Sequence, residues 1–396
     1  MELPLGLADI EAAAHRIEGA VARTPCWPSA ALSERFGADV RLKLENPQHA
    51  VAFKARGAHN KLLLMDAATR ARGVTTASAG NHAQALAFHA RRLGIPAVIV
   101  MPEGSPVVKI AAAERFGAEV ILHGAIFDDS YRETLRLADE RGLAVVHPFD
   151  DYEVMAGQGT VALELLADAP ELDMLVVPIG GGGLISGIGV AAKGVKPDIQ
   201  IVGVQTELYP SMFARFARRD MPCAGDTIAE GIAVKAPGML TAGIINQVVD
   251  DIVLVPERAI EQAIALLAGA AKIVAEGAGA AALAAMLCDP ERFRGRKVGV
   301  IVSGGNIDDH LLANVLLRDL VRSGRMTRLR IRIQDRPGIL HAIFGRFGEH
   351  QVNIVEVDHQ RIYSGLPAKD AVIEVECEAR AGDRIVALVE ALRGDG

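Results

Sequence analysis

Leu172-Asp173-Met174-Leu175-Val176-Val177-Pro178-Ile179-Gly180-Gly181-Gly182-Gly183-Leu184 is the stretch whose reading decides the fold. The apolar run from Leu172 to Val177 is short and continuous, as a strand buried on both faces requires. Four glycines follow, and from Leu184 to Ala192 small and apolar residues continue as a helix. Consecutive glycines after a buried strand expose unhindered N–H groups that can converge on a phosphate, and the next helix adds its dipole. The loop does not fit G-x-G-x-x-G, because Ser186 stands where the third glycine belongs, and it lacks the Gly-Lys-Ser/Thr of a nucleotide loop. Dinucleotide and nucleotide ligands lose weight accordingly.

The same grammar recurs on either side. Gly73 to Ala77 reads as a strand and Ala83, Leu86, Ala87, Ala90 and Leu93 as a helical stripe, which leaves Ser78-Ala79-Gly80-Asn81-His82 as the turn between them and a second anion site. Strands at 97–101 and 119–122 alternate with helices at 107–116 and 129–141. After the glycine loop come a strand at 199–204 and another at 298–302, the latter running into Ser303-Gly304-Gly305-Asn306. Upstream, residues 8–23 predict an amphipathic helix, Pro25 and Pro28 bracket an extended segment, and Val40 to Leu44 alternates as a strand broken by Glu45-Asn46-Pro47. The Ala-rich run from Ala259 to Leu287 predicts buried packing helices. Strands alternating with helices imply open parallel sheets of the α/β class, with the loops at the carboxyl ends of strands, where ligands bind.

Between these signals lies Ala52-Phe53-Lys54-Ala55-Arg56-Gly57-Ala58, at the start of a helix containing Leu62 and Met65. A lysine held in apolar surroundings beside the positive end of a helix loses its proton more readily and becomes a nucleophile towards carbonyls. His82 opens a helix and reads as a hydrogen-bonding wall rather than a base; His15, His123 and His147 have no ligand spacing.

In 396 residues half are apolar and the formal net charge is −7, which supports two or three domains and argues against nucleic acid as a main partner. Cys26, Cys223, Cys288 and Cys377 show neither disulfide nor metal-ligand spacing, so no metal is expected. No apolar run reaches the length of a membrane span, and the expected location is the cytoplasm.

From Thr327 the pattern changes to strand 327–333, the turn Asp335-Arg336-Pro337-Gly338, a helix to about His350, strands 352–360 and 371–377, and a helix at 383–393. This βαββα order predicts a separate small α+β domain.

Lys54, Ser78 to His82, the tetraglycine loop and Ser303 to Asn306 together resemble the pyridoxal-phosphate enzymes of the tryptophan-synthase-β type (fold type II), most closely the threonine/serine dehydratases or ammonia-lyases, over about residues 10–320. The resemblance implies a catalytic domain at 1–322, built as two open twisted parallel-sheet subdomains with helices on both faces, the smaller one at about 52–150 inserted in the larger. Residues 323–396 resemble an ACT regulatory domain without its last strand. That implies an amino-acid effector, against which a structural or dimerising role stands as the alternative, and assembly as a homodimer or homotetramer.

By the same resemblance Lys54 forms the Schiff base with pyridoxal 5'-phosphate, with Phe53 beside it. Gly180, Gly181, Gly182, Gly183 and Leu184 hold the phosphate, Asn81 bonds the ring hydroxyl and Ser303 faces the pyridine nitrogen. Ser78, Ala79, Gly80, Asn81 and His82 receive the substrate carboxylate, Gly231 passes near the substrate, and Glu276 stands near the ring as a catalytic group or a structural ion pair. Serine racemases of this family resemble Ser-Ser-Gly-Asn-His at 78–82, whereas this chain has Ala79, with no proton to give. The chain also departs at Ala50, Val51 and Ala52, where Thr-Gly and Ser are usual, and at Gln205, where metal-binding relatives place a glutamate. The implied reaction is dehydration and deamination of L-threonine to 2-oxobutanoate and ammonia, with L-serine giving pyruvate as a secondary activity. Dehydration of another 3-hydroxy amino acid such as threo-3-hydroxyaspartate, a serine racemase/dehydratase, a β-replacement synthase and a non-enzymatic amino-acid sensor remain as alternatives.

Overall fold

The β-branched and apolar runs pair into two separate, largely parallel sheets. In the computed structural model, which describes residues 3–362 and 365–395, the strands in chain order are β1 (Cys26–Pro28), β2 (Asp39–Leu44), β3 (Val74–Ala77), β4 (Ala97–Met101), β5 (Glu119–Leu122), β6 (Ala144–Val145), β7 (Met174–Pro178), β8 (Gln200–Thr206), β9 (Asp251–Val255) and β10 (Lys297–Val302). One sheet has the order β1-β2-β10-β7-β8-β9 and the other β5-β4-β3-β6. The chain leaves the larger sheet after β2, builds the smaller one, and returns at β7. Every residue of β4 and β7 is buried, as strands covered by helices on both faces must be. The segment between Pro25 and Pro28 forms β1, which runs antiparallel at the sheet edge, where a proline lacking its N–H is tolerated.

Other expectations need correction. The first helix covers only Leu7–Ile17, and the chain turns at Gly19 with φ 71°. Nothing in the sequence pattern predicts the helix Tyr152–Asp168. It is buried on every side, so it carries no apolar stripe against a polar face. Its glycines let it approach its neighbours: a Cβ on Gly157 would lie 2.6 Å from Gly57 Cα, and one on Gly187 of the helix Gly183–Val195 would lie 2.2 Å from the Met155 carbonyl oxygen.

Beneath the smaller sheet, the helices Lys54–Leu64 and Asn81–Leu93 meet through His59 and His89, with ring centroids 4.4 Å apart. Neither nitrogen of His89 finds a hydrogen-bond partner, nor does Nδ1 of His59. Burial lowers His59 to about 4, with a further push from Arg92 and His49, and lowers His89 to about 2, with a further push from His59, His49 and Arg92. Both are neutral when folded but titrate near 6.5 when unfolded, so the unfolded chain binds more protons below that value. Their contribution is complete above about pH 7 and is lost as pH falls from about 6.5 towards the folded values. The urea midpoint is expected to drop between about pH 7.5 and 5.5, and His89→Leu to flatten that slope by up to about 1.4 kcal/mol per pH unit. Identical slopes in the two proteins would count against this account.

The chain divides into two compact units, one ending at Ile307 and the other beginning at Asp308, so the helix Asp309–Arg322 falls in the second unit. That unit also contains β11 (Met326–Gln334), β12 (Asn353–Gln360) and β13 (Asp370–Glu378), antiparallel in the order β11-β13-β12. The helices Ile339–Glu349 and Gly382–Gly394 supply Ile343, Phe347 and Leu388 to a core shared with Ile373, Val375 and Cys377. Alternation sends Arg328 and Arg330 to the other face of the sheet, where they pair with Glu376 and Glu374.

Candidate active site

Lys54 is the first residue of its helix, and its side chain is half-buried. Nζ donates to the Pro148 carbonyl at 2.6 Å. Burial lowers the amine to about 8, with the Glu276 carboxylate pulling the other way. Part of the population is therefore neutral and nucleophilic near neutral pH. The turn that presents Pro148 is shaped by His147, whose Nδ1 accepts from the amides of Phe149 at 3.2 Å and Asp150 at 2.8 Å.

The same turn supports the glycine loop between β7 and the helix Gly183–Val195. Gly182 has φ 99°, and a Cβ on Gly181 would come within 2.3 Å of the Phe149 ring. Thr241 Oγ1 donates to the Gly181 carbonyl at 2.7 Å. Asp150 caps the helix Met239–Val248 by accepting from the amides of Met239, Leu240 and Thr241 at 3.0, 2.9 and 3.0 Å. The carbonyl side of the loop is thus tied down. Among the described residues, the amides of Gly180, Gly181 and Gly182 donate to no backbone carbonyl. Such orphan donors in front of the buried first turn at Leu184 suit a phosphate.

Asn81 opens its helix from the smaller sheet. Its Nδ2 donates to Glu276 Oε1 at 2.6 Å, and its Oδ1 accepts from Asn306 Nδ2 at 2.7 Å. Burial raises Glu276 to about 7 although the Asn81 hydrogen bond acts against the rise. Gly231 lies between the glycine loop and Glu276: a Cβ on it would lie 3.8 Å from Glu276 Oε1, and one on Gly180 would lie 3.2 Å from the Gly231 carbonyl oxygen. Ser303 is buried, and its carbonyl accepts from the Phe53 amide at 3.1 Å, which joins the serine loop to the lysine stretch.

Ser78 Oγ accepts from the Gly80 amide at 3.2 Å, and Ala79 packs on the core of the smaller sheet. His82 is buried with Nε2 3.0 Å from the Val146 carbonyl, and burial lowers it to about 3. A carbonyl only accepts, so Nε2 carries the proton of this neutral ring. Gln205 is spent on structure, donating to the Ile179 carbonyl at 3.3 Å and accepting from the Phe213 amide at 2.8 Å.

Pro148, Phe149, Asp150 and Thr241 escape sequence reading because each acts through tertiary contact. The charged cluster behind Lys54 does too. Arg56 and Glu45, both fully buried, form a bidentate pair at 2.8 Å. Arg56 also donates to Glu164 at 2.7 Å and Thr160 at 3.1 Å, and Lys43 pairs with the same Glu164 at 2.6 Å. Burial opposes the charge on Arg56, and Glu45 and Glu164 more than offset it, so its pKa is raised.

Residues 17–304 match the family model described as "Pyridoxal-phosphate dependent enzyme". The chain belongs to the pyridoxal-phosphate-dependent enzyme family. Residues 327–394 match the ACT domain model. The chain is 44% identical over 374 residues to the L-threonine ammonia-lyase of Thermotoga maritima, covering 94% of this chain and 93% of that protein. Among solved structures, maize serine racemase is 35% identical with a TM-score of 0.74, over 80% of this chain and 98% of that one. The processed form of threonine deaminase isoform 2 from Solanum lycopersicum is 33% identical with a TM-score of 0.73, over 79% and 89%. The expected fold class, two parallel-sheet subdomains of fold type II and a small ACT domain, is therefore correct. The residues present also suit the family's cofactor, since an amine of lowered basicity feels the same Glu276 carboxylate that Asn81 bonds, and open amide donors lie at a helix N-terminus.

Proposed function

We propose that this protein is an L-threonine ammonia-lyase, converting L-threonine to 2-oxobutanoate and ammonia and, more slowly, L-serine to pyruvate. The observation that carries the reading is the one-sidedness of the proton chemistry. Lys54 supplies an amine of about 8, while position 79 holds an alanine, partly buried against the smaller sheet's core, with no proton to give. Racemisation needs a second acid/base opposite the first, and elimination does not. The name of the T. maritima relative supports the same reading.

Bound pyridoxal phosphate supplies an electron sink conjugated to the substrate Cα. In this proposal Lys54 holds the cofactor with Phe53 beside it, and Gly180, Gly181, Gly182, Gly183 and Leu184 hold its phosphate. Asn81 and Ser303 address its ring, with Glu276 near it. The loop Ser78 to His82, at a helix N-terminus, takes the substrate carboxylate, and Gly231 lines the substrate. Lys54, freed when the substrate amine takes its place, accepts the Cα proton, and the β-hydroxyl leaves as water with the proton that the Lys54 ammonium returns to it. The released enamine takes up water and loses ammonia, giving the 2-oxo acid. Lys109, close enough to act on Glu276, is already paired with Glu230, which disfavours substrates with a second carboxylate.

The catalytic domain spans 1–322, with the smaller subdomain at about 52–150, and 323–396 is an ACT-like regulatory domain taking an amino-acid effector. The protein works in the cytoplasm as a homodimer or homotetramer.

The test is 2-oxo acid release from L-threonine, L-serine, D-threonine and threo-3-hydroxyaspartate with the cofactor-loaded protein. L-Threonine is expected to be fastest, L-serine slower, and the others inactive. A lead for hydroxyaspartate would overturn the substrate, and racemised serine without 2-oxo acid would overturn the reaction.

A further inference from the structure

Immediately before Lys54, Ala50 and Val51 both adopt left-handed backbone, with φ 56° and 59°. For a β-branched residue this conformation is a true outlier and persists only where its surroundings impose it. What imposes it is the loop Ser303 to Asn306. The Gly305 amide donates to the Val51 carbonyl at 2.9 Å, and Ala52 bridges to Gly304. Asn306 Nδ2 donates to the Ala50 carbonyl, also at 2.9 Å. Gly304 permits the close approach: a Cβ on it would fall 2.3 Å from Glu276 Oε1.

Asn306 has a second partner. Its Nδ2 also donates to Asn81 Oδ1 at 2.7 Å, so both hydrogens of one amide nitrogen are spent, one on the strained segment ahead of Lys54 and one on a side chain from the smaller sheet. This decides which way Asn81 faces. Asn306 offers Asn81 only a donor, so Asn81 must present its oxygen there and turn its NH2 towards Glu276. One N–H of Asn81 is left for a further acceptor.

We propose that Asn306 is a positioning residue, whose side-chain amide holds the left-handed Ala50-Val51 segment and locks the orientation of Asn81, setting the Lys54 amine and the Asn81 donor relative to each other. The inference rests on the reading of Lys54 and Asn81 as cofactor-binding residues.

The test compares wild type, Asn306→Asp, Asn306→Ala, Asn306→Ser and the double variant Asn306→Ala/Val51→Gly. Aspartate keeps the shape of the side chain but turns an acceptor towards two acceptors, and serine keeps one donor. Three quantities are read: the thermal midpoint, the affinity of the cofactor-free protein for pyridoxal phosphate, and the ratio of the bound cofactor's absorbance bands, which reports the protonation of its ring hydroxyl. Asn306→Asp and Asn306→Ala are expected to bind about tenfold more weakly or worse with a changed band ratio, and Asn306→Ser to fall between them and wild type. Val51→Gly in the Asn306→Ala background is expected to recover affinity, because glycine adopts the left-handed conformation unaided, without recovering the band ratio, because Asn81 stays unheld. Folded Asn306→Asp and Asn306→Ala proteins with wild-type affinity and band ratio would overturn the proposal, as would an Asn306→Ser protein indistinguishable from Asn306→Ala in both. If wild type itself shows no cofactor band that Lys54→Ala abolishes, the underlying reading fails and this one falls with it; a wild-type band with unaffected Asn306 variants sinks this inference alone.

Discussion

Lys54→Ala is expected to lower turnover on L-threonine by at least about 10³-fold, because it removes at one stroke the nucleophile and the proton acceptor. The substitution lies at the start of a helix, where alanine is well tolerated, so the folded protein should survive it. It should also lack the visible band that bound cofactor gains in wild type. Lys54→Arg, which keeps a cation but no nucleophilic amine, is expected to be as inactive. The value of about 8 for the amine adds a pH signature. The nucleophile is the neutral form, so the rate at which cofactor-free protein takes up pyridoxal phosphate is expected to rise with pH and level off above about 8. Stopped-flow absorbance would check it; a rate independent of pH between about 6 and 9 would refute the assignment.

Arg56→Ala is expected to be the most damaging substitution for stability, at roughly 3–5 kcal/mol. It leaves Glu45, with no exposed surface, and most of Glu164 facing each other's charge with Lys43 as the remaining cation. Two segments converge on Arg56: the end of β2 with the turn at Glu45, and the helix Tyr152–Asp168. Their loosening would be felt two residues away at Lys54. Arg56→Lys keeps the charge but not the planar fork that meets Glu45 with two bonds, and should recover only part of the loss. Urea unfolding of the three proteins measures this directly; a change below about 1 kcal/mol in Arg56→Ala would show that the cluster is dispensable.

Much of the fold was legible because its signals are local. A continuous apolar run bounded by glycines announces β7, and the period of Ala83, Leu86, Ala87 and Ala90 announces the helix after Asn81. The helix Tyr152–Asp168 was not, since its period disappears when every side is buried. β9 was missed for another reason: only two residues separate Asp251–Val255 from the helix Met239–Val248, with no glycine or proline to mark the change.

What the sequence by itself determined is the chemistry on offer: a lysine at a helix start, glycine amides after a strand, an alanine at position 79, and a small domain of different grammar at the end. These are properties of residue type and short spacing. Tertiary structure alone decided what surrounds them. The lysine's lowered basicity comes from burial, the open side of the glycine loop from Phe149, Asp150 and Thr241, and the direction of Asn81 from Glu276 and Asn306. Desolvation and hydrogen-bond direction depend on residues as far apart in the chain as Asn81 and Asn306, and only folding brings those within 3 Å.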